Sequence, residues 1–156
     1  MIGQSSESDS RRSRLPLVCP PPRLSADTRA KQMADRLLPK GIAQWVYFAI
    51  VAAGVAIAPT LPLRPGLGLA LAATVAASWW CLVNFWRCRE AHCVVTGVGW
   101  AALATLEVVE LSLGRSFLFG SEGLFFIAIL ILALAFEGLW RARHGTSALT
   151  RGAARR

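Results

Sequence analysis

The stretch Leu124-Phe-Phe-Ile-Ala-Ile-Leu-Ile-Leu-Ala-Leu-Ala-Phe-Glu-Gly-Leu-Trp140 holds a single ionisable side chain, Glu137, in an otherwise apolar run. As a helix rising about 1.5 Å per residue, it spans most of a hydrocarbon core roughly 30 Å thick. Three further runs of this kind precede it, over about 42–58, 67–86 and 94–113. The expectation is an all-α polytopic membrane protein with four transmembrane helices, occupying 41–141 between a tail at 1–40 and a basic tail at 142–156. Composition agrees: 54% of residues are hydrophobic and only 17% charged, too few polar groups to cover a soluble domain of this length.

The breaks between the runs are short. Pro59, Pro62 and Pro65 fall within 59–66, where they cannot continue a helix. A polar turn over 87–93 and a glycine-bounded one over 114–123 complete the connections. Trp45 and Tyr47 near the start of the first run suit the aromatic belt of a membrane interface. The first forty residues are rich in Ser, Arg and Pro, with Pro20-Pro21-Pro22 at their centre, and read as disordered.

Charge placement sets orientation. Eight Lys and Arg precede the first run, two lie in the 87–93 turn and five follow the last run, whereas the other two turns carry one each, Arg64 and Arg115. Positive residues stay inside, which puts both termini and the 87–93 turn in the cytoplasm, with the lipid bilayer as partner and the inner (plasma) membrane as location. The net charge of +8 therefore reads as a topology signal beside anionic lipid. It does not indicate a nucleic-acid-binding face, which needs a basic patch on a folded module.

Two stripes of small residues recur at every fourth position: Gly66, Ala70, Thr74 and Ser78 in the second run, and Gly97, Ala101 and Thr105 in the third. Such stripes let membrane helices approach closely, although alanine-rich helices also show them by chance.

The chemistry-bearing segment is Arg87-Cys88-Arg-Glu-Ala-His92-Cys93. On a continuous helix Cys88 and His92, four apart, share a face, and Cys81 lies two turns deeper, roughly 10 Å into the membrane. A bend brings Cys93 toward Cys88. Two thiolates with an imidazole form a soft donor set suited to Hg(II) or Cu(I), and Zn(II) wants a fourth ligand. Flanking Arg87 and Arg89 favour the thiolate. The expected metal ligands are Cys88, His92 and Cys93, with Cys81 as a relay; ordinary interfacial residues at a helix turn are the other reading. In the reducing cytoplasm these thiols and Cys19 form no disulfide framework.

Glu107 and Glu110 share a face of the third run and either attract an incoming cation or pair with Arg115 or Arg64. Glu137 suits pairing with Arg87 or Arg89. Asn84 and Thr96 are placed to hydrogen-bond between helices and, with Gly97, to order the turn. Phosphate-binding loop, nucleophile-elbow, zinc-protease and dinucleotide motifs are absent, so no enzyme is expected. Membrane thiol redox through Cys88 and Cys93 stays open as an alternative. Four short spans enclose little room for a pore, so a transporter of this size calls for a homo-oligomer.

The run Asn84-Phe-Trp-Arg87-Cys88-Arg-Glu-Ala-His92-Cys93-Val-Val-Thr96-Gly97 resembles a signature of small prokaryotic multi-span membrane proteins, in which Asn leads into Arg-Cys, then His-Cys, then Thr-Gly. More loosely, the chain is similar to the small mercury carriers of bacterial resistance systems. That resemblance implies soft-metal handling at membrane-adjacent cysteines. The carriers hold a cysteine pair in the first span, and here that span has none.

Met33-Ala-Asp-Arg36 has the look of a translation start just ahead of the first run. N-terminal sequencing of the native protein is expected to begin at Met33; residues upstream of it would refute that start site.

Overall fold

The computed structural model describes residues 41–118, 120–145, 147 and 149, with the side chains of Arg87 and Cys88 outside the described set. The expected tail over 1–40, with Cys19, also lies outside it. Four long helices follow one another: α1 (Ile42–Ile57), α2 (Leu63–Cys88), α3 (Ala91–Leu113) and α4 (Glu122–His144), with a short 3-10 turn at Ala58–Thr60 after α1. Each of the four, α1 together with its 3-10 turn, is long and apolar enough to cross a membrane. The chain is an all-α, four-helix, multi-pass membrane protein.

The polarity of the bundle is inverted relative to a soluble one. Ile50, Trp79, Leu124 and Leu139 face outward with more than 60% of their surface exposed, while Glu107 and Glu110 are fully buried. Apolar side chains outside and carboxylates inside is the arrangement that hydrocarbon surroundings favour.

Helix α2 is the hub. It packs along α3 most extensively and against α1 on its other side, and α3 in turn packs on α4; α1 barely meets α4. The core is built from Val51 and Val55 of α1, Ala73, Ala77, Trp80 and Cys81 of α2, Trp100 and Leu103 of α3, and Phe126 of α4. Two aromatic contacts fix its layers. Tyr47 stacks on Trp80 at 4.7 Å and donates its hydroxyl to the Ala76 carbonyl at 2.7 Å. Trp100 stacks on Phe126 at 4.4 Å and donates its ring N–H to that residue's carbonyl at 3.1 Å. Tyr47 thus faces α2, where its half-buried hydroxyl finds an acceptor inside the bundle.

The first turn differs from its sequence reading. Helix α2 starts at Leu63, ahead of the prolines' expected end at Gly66, because Pro62 is the N-cap and Pro65 sits in the first helical turn. The amide hydrogen that proline lacks has no intrahelical acceptor there. Gly66 then lets α2 lie against the preceding turn: a Cβ on it would sit 2.5 Å from the Ala58 carbonyl oxygen.

The stripe Gly66, Ala70, Thr74 and Ser78 is buried along its length, and Ser78 donates to the Gly97 carbonyl across the α2–α3 seam at 2.9 Å. The stripe proposed for α3 is not its packing face. Thr105 is exposed and donates to Ala101 of its own helix, while the buried line runs through Cys93, Gly97, Trp100, Ala104 and Glu107. Steps of four drift about 40° around a helix. Helix α2 buries a larger share of its residues than α3 does, which absorbs that drift.

The α2–α3 connection is tighter than the 87–93 turn expected from sequence. Helix α2 runs to Cys88, Arg89 takes a left-handed conformation (φ 55°) and Glu90 an extended one, and α3 begins at Ala91. The chain leaving α4 straps this turn: Ala91 N–H donates to the Ser147 carbonyl at 3.0 Å and Leu149 N–H to the Arg89 carbonyl at 2.9 Å. Ala91 N–H is one of the donors a helix start leaves unpaired, so the strap closes the hairpin and caps α3 together.

The glycines of α2 give a direct test of its packing. Gly66→Ala is expected to lower stability by about 1–3 kcal/mol through the clash with backbone. Gly68, with nothing within 4 Å of a Cβ, should gain up to about 1 kcal/mol on replacement by Ala. Thermal unfolding in detergent measures both, and equal effects would refute the close approach at Gly66.

Candidate functional site

His92 and Cys93 occupy the first turn of α3 and are buried. The Arg89–Glu90 break decides their direction, because it turns the chain back before either residue. Cys88 and His92 therefore belong to different helices and share no helical face, contrary to the reading from their spacing. The backbone of Cys88 ends α2, and its side chain lies outside the described set.

The imidazole is held from α4. His92 Nδ1 lies 2.5 Å from Glu137 Oε2, and Glu137 Oε1 accepts from Arg141 Nη2 at 2.5 Å one turn further along α4. Glu90 Oε2 is 3.9 Å from the same ring nitrogen. With the imidazole neutral and its Nδ1–H donated to the Glu137 carboxylate, Nε2 keeps its lone pair. That lone pair faces Cys93 Sγ at 3.3 Å. Glu137 is thus paired with Arg141 and His92, and not with Arg89 as the charge pattern suggested.

A cavity of about 190 Å³ opens beside the pair, lined by all four helices. Its polar lining includes Cys81, Asn84, His92, Cys93 and Thr96, and its apolar walls include Phe48, Trp80 and Trp100. The structure therefore brings Cys81, His92 and Cys93 to one cavity. Thr96 also lines it, but its hydroxyl donates to the His92 carbonyl within α3 at 2.9 Å, so it stiffens the helix start and bridges no helices. Gly97 sits at the seam, where an added Cβ would come 2.8 Å from Leu82 Cδ2.

Glu107 and Glu110 lie elsewhere, about 22 and 27 Å along α3 from His92. Glu107 accepts from the Thr74 hydroxyl at 3.2 Å. Glu110 accepts the backbone N–H groups of Phe117 and Leu118, the latter at 2.9 Å, and so orders the α3–α4 turn. Among the described residues, no ion pair joins either acid to Arg64 or Arg115.

Two donor sets could take a cation near His92, and geometry separates them. Glu90, His92 and Glu137 each offer one ligand atom within 4.8 Å of the others. Nitrogen and oxygen bound tetrahedrally to one ion such as Zn(II) stand about 3.4 Å apart. The 2.5 Å between Nδ1 and Oε2 is a hydrogen bond with no room for an ion. Sulfur and nitrogen on such an ion stand about 3.5 Å apart, and the Sγ–Nε2 separation is 3.3 Å. The thiol–imidazole pair is an S–H···N contact that a tetrahedral ion would have to widen slightly, and a two-coordinate Cu(I) or Hg(II) ion to roughly 4.3 Å, the sum of the two bonds.

The chain matches no protein-family model, no curated protein and no solved structure. Function is therefore read from this chemistry alone.

Of the ligands expected from the sequence, His92, Cys93 and Cys81 line one cavity; the contacts of Glu90, Arg141 and Glu137 with this cluster were not anticipated. The signal for Glu137 was present: an acid in the most lipid-like helix must have a partner inside. Its pairing with a residue 45 positions away was not readable without the fold.

Removing one member of the buried His92–Glu137 pair should cost about 3–5 kcal/mol, because the other is left uncompensated. In a cycle of His92→Ala, Glu137→Ala and the double variant, the double is expected to lose less than the sum by roughly 1–3 kcal/mol. Additive losses in detergent unfolding would mean the two side chains do not interact.

Proposed function

We propose that this protein binds a soft thiophilic cation, Cu(I)- or Hg(II)-like, between Cys93 Sγ and His92 Nε2, and passes it across the inner membrane. Both termini and the α2–α3 turn lie in the cytoplasm under this reading, as the distribution of Lys and Arg indicates. Cys81, on the same cavity, serves as a relay thiol, and Cys88 is carried forward from the sequence as a further ligand. Conduction through four helices requires a second copy of the chain.

The observation that carries this reading is the state of the His92 ring. A metal-binding imidazole characteristically donates its other ring N–H to a carboxylate, which fixes the tautomer and raises the basicity of the ligating nitrogen. The Glu137 carboxylate stands at Nδ1 in the position such a partner takes, and Arg141 anchors Glu137 in turn. Thiolate and imidazole together select soft and borderline ions over Mg(II) or Ca(II).

A second reading rests on the same contacts: His92, Glu137 and Arg141 pin α3 to α4, and the cluster closes the bundle without binding a ligand. Titration of the reduced, purified protein with Cu(I) and Hg(II) separates the two. Stoichiometric binding lost in Cys93→Ser, and weakened about 10- to 100-fold in Glu137→Gln through the second shell, is the expected result. Equal weak binding in wild type and Cys93→Ser would leave the cluster as a structural clamp.

A further inference from the structure

The opposite end of the bundle holds three buried acids that the soft-cation reading does not use. Glu107 and Glu110 of α3 are fully buried and Glu122 of α4 is 7% exposed. Each of the first two spends one oxygen on the fold: Glu107 Oε1 on the Thr74 hydroxyl, Glu110 Oε1 on the amides of Phe117 and Leu118. Their second oxygens, Glu107 Oε2 and Glu110 Oε2, are buried with no hydrogen-bond partner. Two bare oxygens inside a hydrocarbon-facing bundle are an expense that folding does not require, since glutamine or leucine would fill the same space.

The neighbours on each packed element are few. Helix α2 contributes Thr74, α3 contributes Glu110, and α4 contributes Glu122. Arg64 and Arg115 are the nearby cations in sequence; both are exposed, and neither forms an ion pair with these acids among the described residues. Nor do the acids form a ready metal site, because their oxygens do not gather within 4.8 Å as those around His92 do. Of the three, it is Glu122 that reaches a cavity. Glu122, bonded to the Ser116 hydroxyl at 3.2 Å, lines a cavity of about 170 Å³ bounded by Pro59, Gly66, Ser116 and Gly120.

We propose that Glu107, with Glu110 and Glu122 beside it, is a proton-exchange site buried between α2, α3 and α4 at the end of the bundle away from His92. A proton on a bare carboxylate oxygen becomes a hydroxyl and removes an unpaired charge, and Glu122 is the member of the set that meets the cavity. Acids and histidines spaced through membrane helices are the usual stations of proton relays. Glu107 lies about 22 Å from His92 along α3, so the site stands or falls independently of cation binding by Cys93.

The test is infrared spectroscopy of the full chain in liposomes, following the carbonyl band of protonated carboxylic acids through a pH titration and on transfer to D₂O. A band that disappears reversibly as pH rises, shifts in D₂O and is lost in Glu107→Gln is the expected result. Thr74→Val, which removes only the hydroxyl donor, should keep the band and displace its frequency. The proposal is overturned if wild type shows no such band at any pH, or if the band persists unchanged in Glu107→Gln. It is equally overturned if Na⁺, Mg²⁺ or Ca²⁺ abolishes the band at constant pH, since the acids would then be a metal-cation site.

Discussion

Hydrocarbon on the outside obliges each buried polar group of this bundle to find its partner within the protein, and the arrangement of the four helices follows from how that is done. Ser78 on the Gly97 carbonyl, Tyr47 on the Ala76 carbonyl, Trp100 on the Phe126 carbonyl and Glu137 on His92 each tie two helices together. None of these contacts is shared by three helices. They form a chain of pairwise ties, with α2 and α3 as its middle links. Apolar packing fills the space between, but lipid tails compete for apolar surface nearly as well as a neighbouring helix does. Hydrogen bonds and close backbone approach therefore set the register.

The two ends of the bundle solve the problem differently. Near the α2–α3 turn, four ionisable side chains are tied to one another: Glu137 to both His92 and Arg141, and His92 to Cys93. The left-handed Arg89, at a cost of about 1–2 kcal/mol for a residue with a Cβ, reverses the chain in two residues and turns His92 toward α4. Cation–π contact of its guanidinium with Phe85 at 5.7 Å and the strap from Ser147 and Leu149 offset that cost. At the other end the carboxylates are left half-satisfied. A fully tied cluster suits a rigid binding site, whereas groups with spare bonding capacity suit transfer.

The number and extent of the helices were legible because hydrocarbon thickness imposes a length and a composition on each span. Glu137, Glu107 and Glu110 stood out for the same reason. Helix ends were less legible. Prolines signal a boundary but not on which side of it the helix lies, and Pro65 proved to be inside α2. The Cys88–His92 spacing misled, because a period of four has meaning only within one helix, and Arg89 breaks it.

What the sequence by itself determined was the class of the protein: four apolar helices joined by short turns, with thiols, an imidazole and acids at stated depths. Hydrophobic length is a local property, and each span declares it unaided. What only the tertiary structure decided was partnership. Which acid meets His92, which nitrogen of its ring faces Cys93, which face of α3 is buried and which carboxylate oxygens go unbonded all depend on how the helices are rotated against each other. That rotation is set by ties between residues tens of positions apart, such as Thr74 with Glu107 and His92 with Glu137, and no local period encodes them.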